Sequence, residues 1–505
     1  MPQHQLDDSL AQLVAAELMF RRGTPPNAEY TFKHALVQDA AYSTVLRSRR
    51  QQLHAHIATI LESRFPDIVA AQPQEVARHC AEAGLGEKAV GYWLKAGRQA
   101  VARSAMTEAV VPLQKGLSLL AALPDDPWRQ QQELDLRFAL GQAQTATRGY
   151  AAPEVMESLA RARVLAEQRD RPDTLMALLH GQWLFHLVRG EYRLALSHAE
   201  QMEKTGEARN DATLLVSGRH KQGVTRFFLG EFAGARTLLE QFQSLGDVAH
   251  RGYYIDTLCF LAVTLLCLGY IEQGRALTNQ ALSEARRLKR AHTLATALLF
   301  MCRAGWLADS PHDMQRHAEE LVALANEHSF SLWLSGGMIY HGWSLTALGQ
   351  AEEGVASLTQ GLAATRATGA VQGTPVILTS LAQAYAKLGR LPESQTCLAE
   401  AGQIIEATDE RWSEAELHRV RGDVLNIAGD RAAAEQSYHL AFAVAQRQSA
   451  KIFELRAATS LARIWHEQGN RTAARELLAP VYRWFTEGFD SPVLKEARAL
   501  LDQLA

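Results

Sequence analysis

The sequence lacks the features that tie a chain to an oxidising compartment, a bilayer or a charged polymer. Its five cysteines, Cys80, Cys259, Cys267, Cys302 and Cys397, are odd in number and scattered through 505 residues. They form no CxxC pair, which argues against a disulfide framework or a thiolate metal set and for a reduced, cytoplasmic protein. No basic segment followed by an apolar stretch opens MPQHQLDDSL, so no signal peptide is visible. The longest strongly apolar run, Leu258 to Tyr270, is too short for a bilayer. Charge is nearly balanced, 52 Lys and Arg against 55 Asp and Glu, for a formal net charge of −3. Bulk attraction to nucleic acid is thereby excluded, and only a local basic patch is left for it.

What is present is ample apolar material, 47% of residues against 21% charged, far from a disordered composition. The length fits three or four domains or one long repeat array. Glycine punctuation decides between them. Gly190, Gly230, Gly269, Gly349, Gly389, Gly429 and Gly469 follow one another at steps of 40, 39, 80, 40, 40 and 40. Asp309, in LADSPHDM, occupies the slot inside the double step, and Gly149 extends the series upstream. Five residues after each mark the chain is small, as at Ala235, Gly274, Gly354, Ser394 and Ala434, with Met314 the exception. Seven residues before it the chain is small again, as at Gly223, Ala262, Cys302, Gly342 and Ala382, with Trp183 the exception. Small residues in register let two helix backbones approach, and a glycine between them suits the left-handed end of the first.

The segments AAAEQSYHLAFAVAQRQ and LRAATSLARIWHEQG repeat apolar residues at three- and four-residue steps. Each repeat is therefore a helical hairpin that buries its stripe only by stacking, and the chain reads as an α-solenoid. Three further helices are expected over Gln74–Ala83, Glu87–Arg103 and Met106–Leu120, with a break at LPDDPW. FDSPVLKEARALLDQLA reads as a capping helix, with Ser491 as N-cap and Pro492 in the first turn. The first 65 residues differ: helix, then a hairpin of MFRRG with AEYTFKH across TPPN, then two helices. The expected divisions are a winged-helix-like module over 1–66, an irregular helical linker over 67–148, repeats over 149–489 and a cap over 490–505.

YTFKHALVQDAAYSTVLRSRRQQLHAHIA resembles the end of the winged-helix region of bacterial signal-transducing ATPases of the STAND class. EKAVGYWLKAGRQAVARSAMTEAV is similar to the linker that follows it. RWSEAELHRVRGDVL, ELRAATSLARIWHEQG and VYRWFTEGFD resemble the tetratricopeptide (TPR) tail of proteins that join a nucleotide cyclase, an ATPase and a TPR array. The resemblance implies an all-α, TPR-like helical-hairpin superhelix behind a small winged-helix-like module. It also implies a protein or peptide ligand, or a separate ATPase or cyclase chain, as partner. The sequence has no Gly-Lys dipeptide, so the phosphate-binding loop GxxxxGK[ST] of those ATPases is absent. The expected function is a non-catalytic interaction scaffold or sensor arm in signal transduction. The alternatives are a severed regulatory half of a signalling ATPase or cyclase, and a regulator that touches DNA through its N-terminal module.

No catalytic, cofactor or metal constellation emerges. AGLGEKAVG has neither the spacing nor the preceding strand of a dinucleotide fingerprint and reads as helix punctuation. His54 with His56 and His312 with His317 are not spaced to share a helix face, and no HExxH or GxSxG occurs. Arg47, Arg49 and Arg50 form a small basic cluster in the N-terminal module, expected to serve protein docking rather than DNA. Arg286, Arg287, Lys289 and Arg290 read as solvated residues near a helix end.

In a TPR superhelix the first helix of each pair lines the groove. Counting back 13, 10, 6 and 3 residues from a turn gives positions on one face. In the central repeats the count selects His220, Phe227, Arg303, Trp306 and Trp343. In the last two it selects Glu416, Arg419, Asp423, Asn426, Arg456, Arg463 and His466. The second set is too polar for a face buried against its neighbour, so it is expected to be solvated surface or a groove for charged groups. Trp306 and Trp343 also suit inter-repeat core.

Overall fold

The structure, a computed structural model, describes residues 3–25, 28–244 and 250–505. The chain forms two compact units, Met1–Ala143 and Gln144–Ala505.

The first unit opens with α1 (Gln3–Ala15), β1 (Met19–Arg22) and β2 (Glu29–Phe32). The strands make the expected antiparallel hairpin, with Met19 opposite Phe32 and Phe20 opposite Thr31. Pro26 and Asn27 of its tip lie outside the described residues. α2 (Ala35–Thr44), α3 (Arg47–Arg64) and α4 (Pro66–Ala71) follow. α5 (Pro73–Glu82), α6 (Gly86–Ala102) and α7 (Met106–Leu120) are the three helices read from the sequence, and LPDDPW breaks the chain over its first four residues and opens α8 (Pro127–Arg148) with its last two. Gly84 sits at φ +76° just past α5, so AGLGEKAVG is helix punctuation. Val76, Cys80, Ala89 and Trp93 share a core cluster, and His54, on α3, meets His79 of α5 with 2.7 Å between their Nδ1 atoms.

The second unit takes up the end of α8 and continues with α9 (Pro153–Gln168), α10 (Pro172–Val188), α11 (Tyr192–Arg209), α12 (Ala212–Phe228) and α13 (Phe232–Ser244). Next come α14 (His250–Leu268), α15 (Ile271–Leu288), α16 (Ala291–Leu307), α17 (Pro311–His328), α18 (Ser331–Ala347) and α19 (Ala351–Ala367). α20 (Thr374–Lys387), α21 (Leu391–Thr408), α22 (Glu414–Ile427), α23 (Arg431–Arg447), α24 (Lys451–Glu467), α25 (Arg471–Arg483) and α26 (Pro492–Gln503) complete it. Even-numbered helices from α8 to α24 run up to the turn series, and the next odd-numbered helix returns.

Every glycine of the series is left-handed, from φ +72° at Gly389 to +94° at Gly269, and Asp309 fills its slot at +55°. The small residues are where the backbones touch: a Cβ on Gly342 would stand 2.8 Å from the Gly354 carbonyl oxygen. Met314, the exception, is accommodated by Gly305, where a Cβ would come within 3.0 Å of it. A second left-handed series ends the return helices at Asp170, Asn210, Lys289, Ser329, Gly369, Asp409 and Ser449. Lys289 is thus a helix end, while Arg286 pairs with Glu320 and Arg287 with Glu284. α26 begins at Pro492 with Ser491 as N-cap, but the serine hydroxyl makes no capping bond and is buried without a partner.

The solenoid winds back onto itself. The Val188 carbonyl accepts the N–H groups of Val371 and Gln372, and the Phe228 carbonyl those of Arg411 and Trp412. These carbonyls close α10 and α12, where a helix has acceptors without intrahelical partners. Tyr192 bonds Glu410, Arg193 bonds Asp409 and Arg275 bonds Asp490, at separations of 218, 216 and 215 residues. The contacts therefore join segments about four and a half to five and a half 40-residue repeats apart.

Candidate functional site

Inside the turn of the superhelix lies a cavity of about 400 Å³. It is walled by residues of α10, α12, α14, α16, α18 and α20, the helices that precede the turns. Leu187, Phe260, Phe300, Trp306, Trp333 and Ile339 give it an apolar and aromatic wall, and Asp256, His292, Arg303 and Tyr340 are among its polar groups. A largely apolar hollow with a few fixed polar groups is the usual make-up of a ligand site.

Arg303 is held by aromatic faces. Its guanidinium carbon lies 5.0 Å from the Phe300 ring centre and 5.3 Å from that of Trp412, and its Nε donates to the Tyr340 hydroxyl at 3.1 Å. Cation–π contact of this kind orients a guanidinium without neutralising it. Nη1 is buried with no hydrogen-bond partner among the described residues. Behind it, Glu410 is fully buried and accepts from Tyr192 Oη at 2.7 Å, Trp412 Nε1 at 3.0 Å and Gly373 N at 3.0 Å. Burial pushes the Glu410 carboxyl up, against the pull of these donors and of Arg303. Asp256 is fixed by His220, whose Nε2 is 2.9 Å from Oδ2 while Nδ1 meets the Thr257 hydroxyl at 2.8 Å. Burial lowers the His292 imidazole, with Asp256 acting to raise it.

A second, charged hollow of about 200 Å³ lies beyond Trp343, which lines both. Arg419 donates to Glu416 at 2.7 and 3.0 Å and to Asp423 at 2.6 Å, and Tyr438 donates to Asp423 at 2.7 Å. Arg456 donates to the Trp306 and Leu307 carbonyls at 2.9 Å each, closing the end of α16, and stands 3.5 Å from Glu416. Burial alone would raise the Glu416 carboxyl, but Arg419 and Arg456 outweigh it and hold it at about 2. Arg463 reaches Glu496 of α26 at 2.5 Å.

This arrangement corrects the expectation drawn from polarity. Glu416 is 5% exposed and the Arg419 and Arg456 side chains 14% and 12%, so these three are mostly buried, while Arg463 is about half exposed. Burial is tolerated because each charge has a partner. Of the selected residues, Arg303, Trp306 and Trp343 line the first cavity, and Glu416, Arg419, Arg456, Arg463 and Trp343 the second. Asp423 supports Arg419. His220 lies one layer behind, on Asp256. Phe227 packs against Phe232, Phe260 and Trp412, where successive superhelical turns meet. Asn426 and His466 lie at the helix ends of α22 and α24 and line neither cavity. Asp256, Tyr340, Phe300 and Trp333 are site residues outside the selected set. The 13-residue count from Gly269 lands on Asp256, so its signal is in the sequence. Tyr340 and Phe300 sit one position off counted ones, and Trp333 lies one helical step before the first counted position of α18.

Known proteins resemble this chain in part. A tetratricopeptide repeat family model matches residues 375–400 and 455–480. An uncharacterized protein of Rhizobium meliloti (strain 1021) is 24% identical over 454 residues, which cover 86% of this chain and 43% of that protein. The chain thus spans less than half the length of this curated relative. The crystal structure of a Rap protein complexed with competence and sporulation factor is similar with a TM-score of 0.52 and 12% identity, over 72% of this chain and 99% of that one. A STAND protein with a TPR sensor from Pyrococcus horikoshii matches at a TM-score of 0.38 and 12% identity, over 86% and 74%, too low a score to argue from. The fold is an all-α helical-hairpin solenoid of TPR type, with one short hairpin as the sheet among the described residues. No described helix is long and apolar enough to cross a membrane.

Proposed function

We propose that this chain is a non-catalytic, cytoplasmic scaffold or sensor arm that holds a peptide or a segment of a partner protein against the inner face of its superhelix, in signal transduction. The observation that carries this reading is the cavity itself. Six first helices converge on one hollow with aromatic walls and an arginine whose N–H groups are mostly unused among the described residues. Aromatic residues and arginine are the usual anchors of protein and peptide ligands. The similar Rap structure is of a complex with a named factor, which fits a fold that receives ligands. The charged hollow beyond Trp343 extends the same face toward acidic or basic groups of a longer segment.

The test fills the cavity. Leu299→Trp and Ile339→Trp place a large ring on its wall, and a partner recovered by cross-linking to the full chain should no longer be held while the helical circular dichroism persists. Partner capture that survives both substitutions overturns the reading.

A second reading follows from the greater length of the Rhizobium relative and from the STAND-like stretch YTFKHALVQDAAYSTVL. In it the chain is the regulatory part of an ATPase or cyclase system, and its N-terminal module docks on that partner. Phe20, Leu36 and Leu46 are exposed apolar residues of that module, as a docking face requires. Co-purification with an ATPase chain supports this reading, and ATP turnover by the purified chain alone contradicts both.

A further inference from the structure

The first cavity carries two charges of opposite sign that are not paired with each other. Arg303 uses one of its donors, Nε, on Tyr340, while Nη1 is buried without an acceptor and Nη2 makes no hydrogen bond to the described residues. Among the described residues Arg303 has no carboxylate in ion-pair contact. Glu410 lies within its charge range, but both Glu410 oxygens are occupied by Tyr192, Gly373 and Trp412. Asp256 is 35% exposed on the same cavity, oriented by His220.

Their spacing is set by the repeat. Asp256 stands on α14, 13 residues before Gly269, and Arg303 on α16, six before Asp309. Seven positions along neighbouring parallel helices at 1.5 Å each separate them by about 10 Å along the helix direction. Phe260, Phe300, Trp306 and Ile339 share the same hollow and offer apolar surface to whatever spans the gap.

On the reading that this face binds a ligand, we infer that the cavity takes a free short peptide, its carboxylate on Arg303 and its ammonium group on Asp256. With about 8–10 Å between neighbouring helix axes the separation is about 14 Å, which about four residues in extended form cover, or three where the side chains lean toward each other. Apolar or aromatic side chains suit the walls of the cavity. A long internal segment of a partner carries no terminal charges and offers Arg303 and Asp256 only neutral groups, whose hydrogen bonds are weaker than those of charged ends. The charged ends, not the side chains, thus separate the true ligand from other segments.

The experiment uses the full chain and synthetic tri- and tetrapeptides of Leu, Phe and Trp in free, N-acetylated and C-amidated forms, read by calorimetric titration. The free form should bind at least tenfold more tightly than either blocked form. Arg303→Met should erase discrimination against the amide only, and Asp256→Asn against the acetylated form only. The comparison in the unsubstituted chain needs no variant, so a folding defect in Arg303→Met does not decide the matter. Equal binding of the three forms overturns the inference. If a ten-residue peptide blocked at both ends is then held and Leu299→Trp releases it, the scaffold reading stands without the end-reading. If neither short nor long peptide binds, both fail.

Discussion

Tyr192 and Glu410, 218 residues apart in sequence, share a hydrogen bond of 2.7 Å in a site with no measurable exposure of either residue. The bond joins two successive superhelical turns, so its loss is felt as a loss of closure. Tyr192→Phe leaves the carboxylate one donor short, and a buried acceptor stripped of a partner costs about 1–3 kcal/mol. Urea unfolding should show a stability lower by that amount, read as a lowered midpoint at unchanged slope. An unchanged midpoint contradicts the role assigned to the contact.

Glu416 predicts a pH dependence. Its folded carboxyl sits at about 2, below its ordinary 4.5, so it contributes stability fully above the ordinary value and loses it as pH falls from about 4.5 toward 2. That shift corresponds to about 3 kcal/mol. Glu416→Gln leaves Arg419 and Arg456 facing a neutral group and should be destabilised by about that amount at pH 7. The gap to the unsubstituted chain should close near pH 2. A gap that stays constant from pH 7 to pH 2 would show that the ion pairs do not stabilise the fold.

The turns are legible in the sequence because glycine marks a left-handed residue, and even Asp309 is legible from its slot. The second left-handed series is not, since Asp, Asn, Lys, Ser and Gly share it and no residue type betrays it. Closure of the superhelix depends on its pitch, which sums small angles over several repeats, so the Tyr192–Glu410 and Arg456–Trp306 contacts leave no local pattern. For the site, Arg303, Trp306 and Trp343 follow from helical counting. Burial of Glu416 does not, because its partner Arg456 comes from the next repeat and is itself locked onto the end of α16.

Close approach of the helix pairs is tested at two glycines. Gly342→Ala places a Cβ 2.8 Å from the Gly354 carbonyl and from Leu358 N, both backbone, so the pair must separate, and thermal unfolding should fall by several degrees. Gly91, within α6, has nothing within 4 Å of the place a Cβ would take. Gly91→Ala should therefore raise stability by about 0.5–1 kcal/mol. The same sign for both substitutions would refute backbone contact as the reason for small residues in the repeat.

The N-terminal basic cluster is expected to dock protein. Arg47 and Arg49 are exposed, while Arg50 stacks on Tyr42 at 4.9 Å and Arg49 donates to Gln52 at 3.2 Å. Two exposed cations neutralise too few phosphates for tight duplex binding. A gel-shift titration at moderate salt should show no sequence-specific complex. A specific complex abolished by changing Arg47, Arg49 and Arg50 to Ala reverses this assignment.

At the far end of the inner face, Arg463 separates binding from stability. Its pair with Glu496 is about half exposed on both sides, and such pairs contribute at most about 1 kcal/mol. Arg419 is different: reversing it leaves Glu416 and Asp423 without their guanidinium, a buried break that costs about 3–5 kcal/mol. Arg419→Glu therefore reports on folding, whereas Arg463→Glu alters the charge of the second hollow in a chain that remains folded. If a partner segment reaches past Trp343 with acidic groups, Arg463→Glu should weaken its capture about tenfold, and added salt should weaken capture by the unsubstituted chain in the same direction. Binding that is indifferent to both confines the ligand to the aromatic cavity around Arg303.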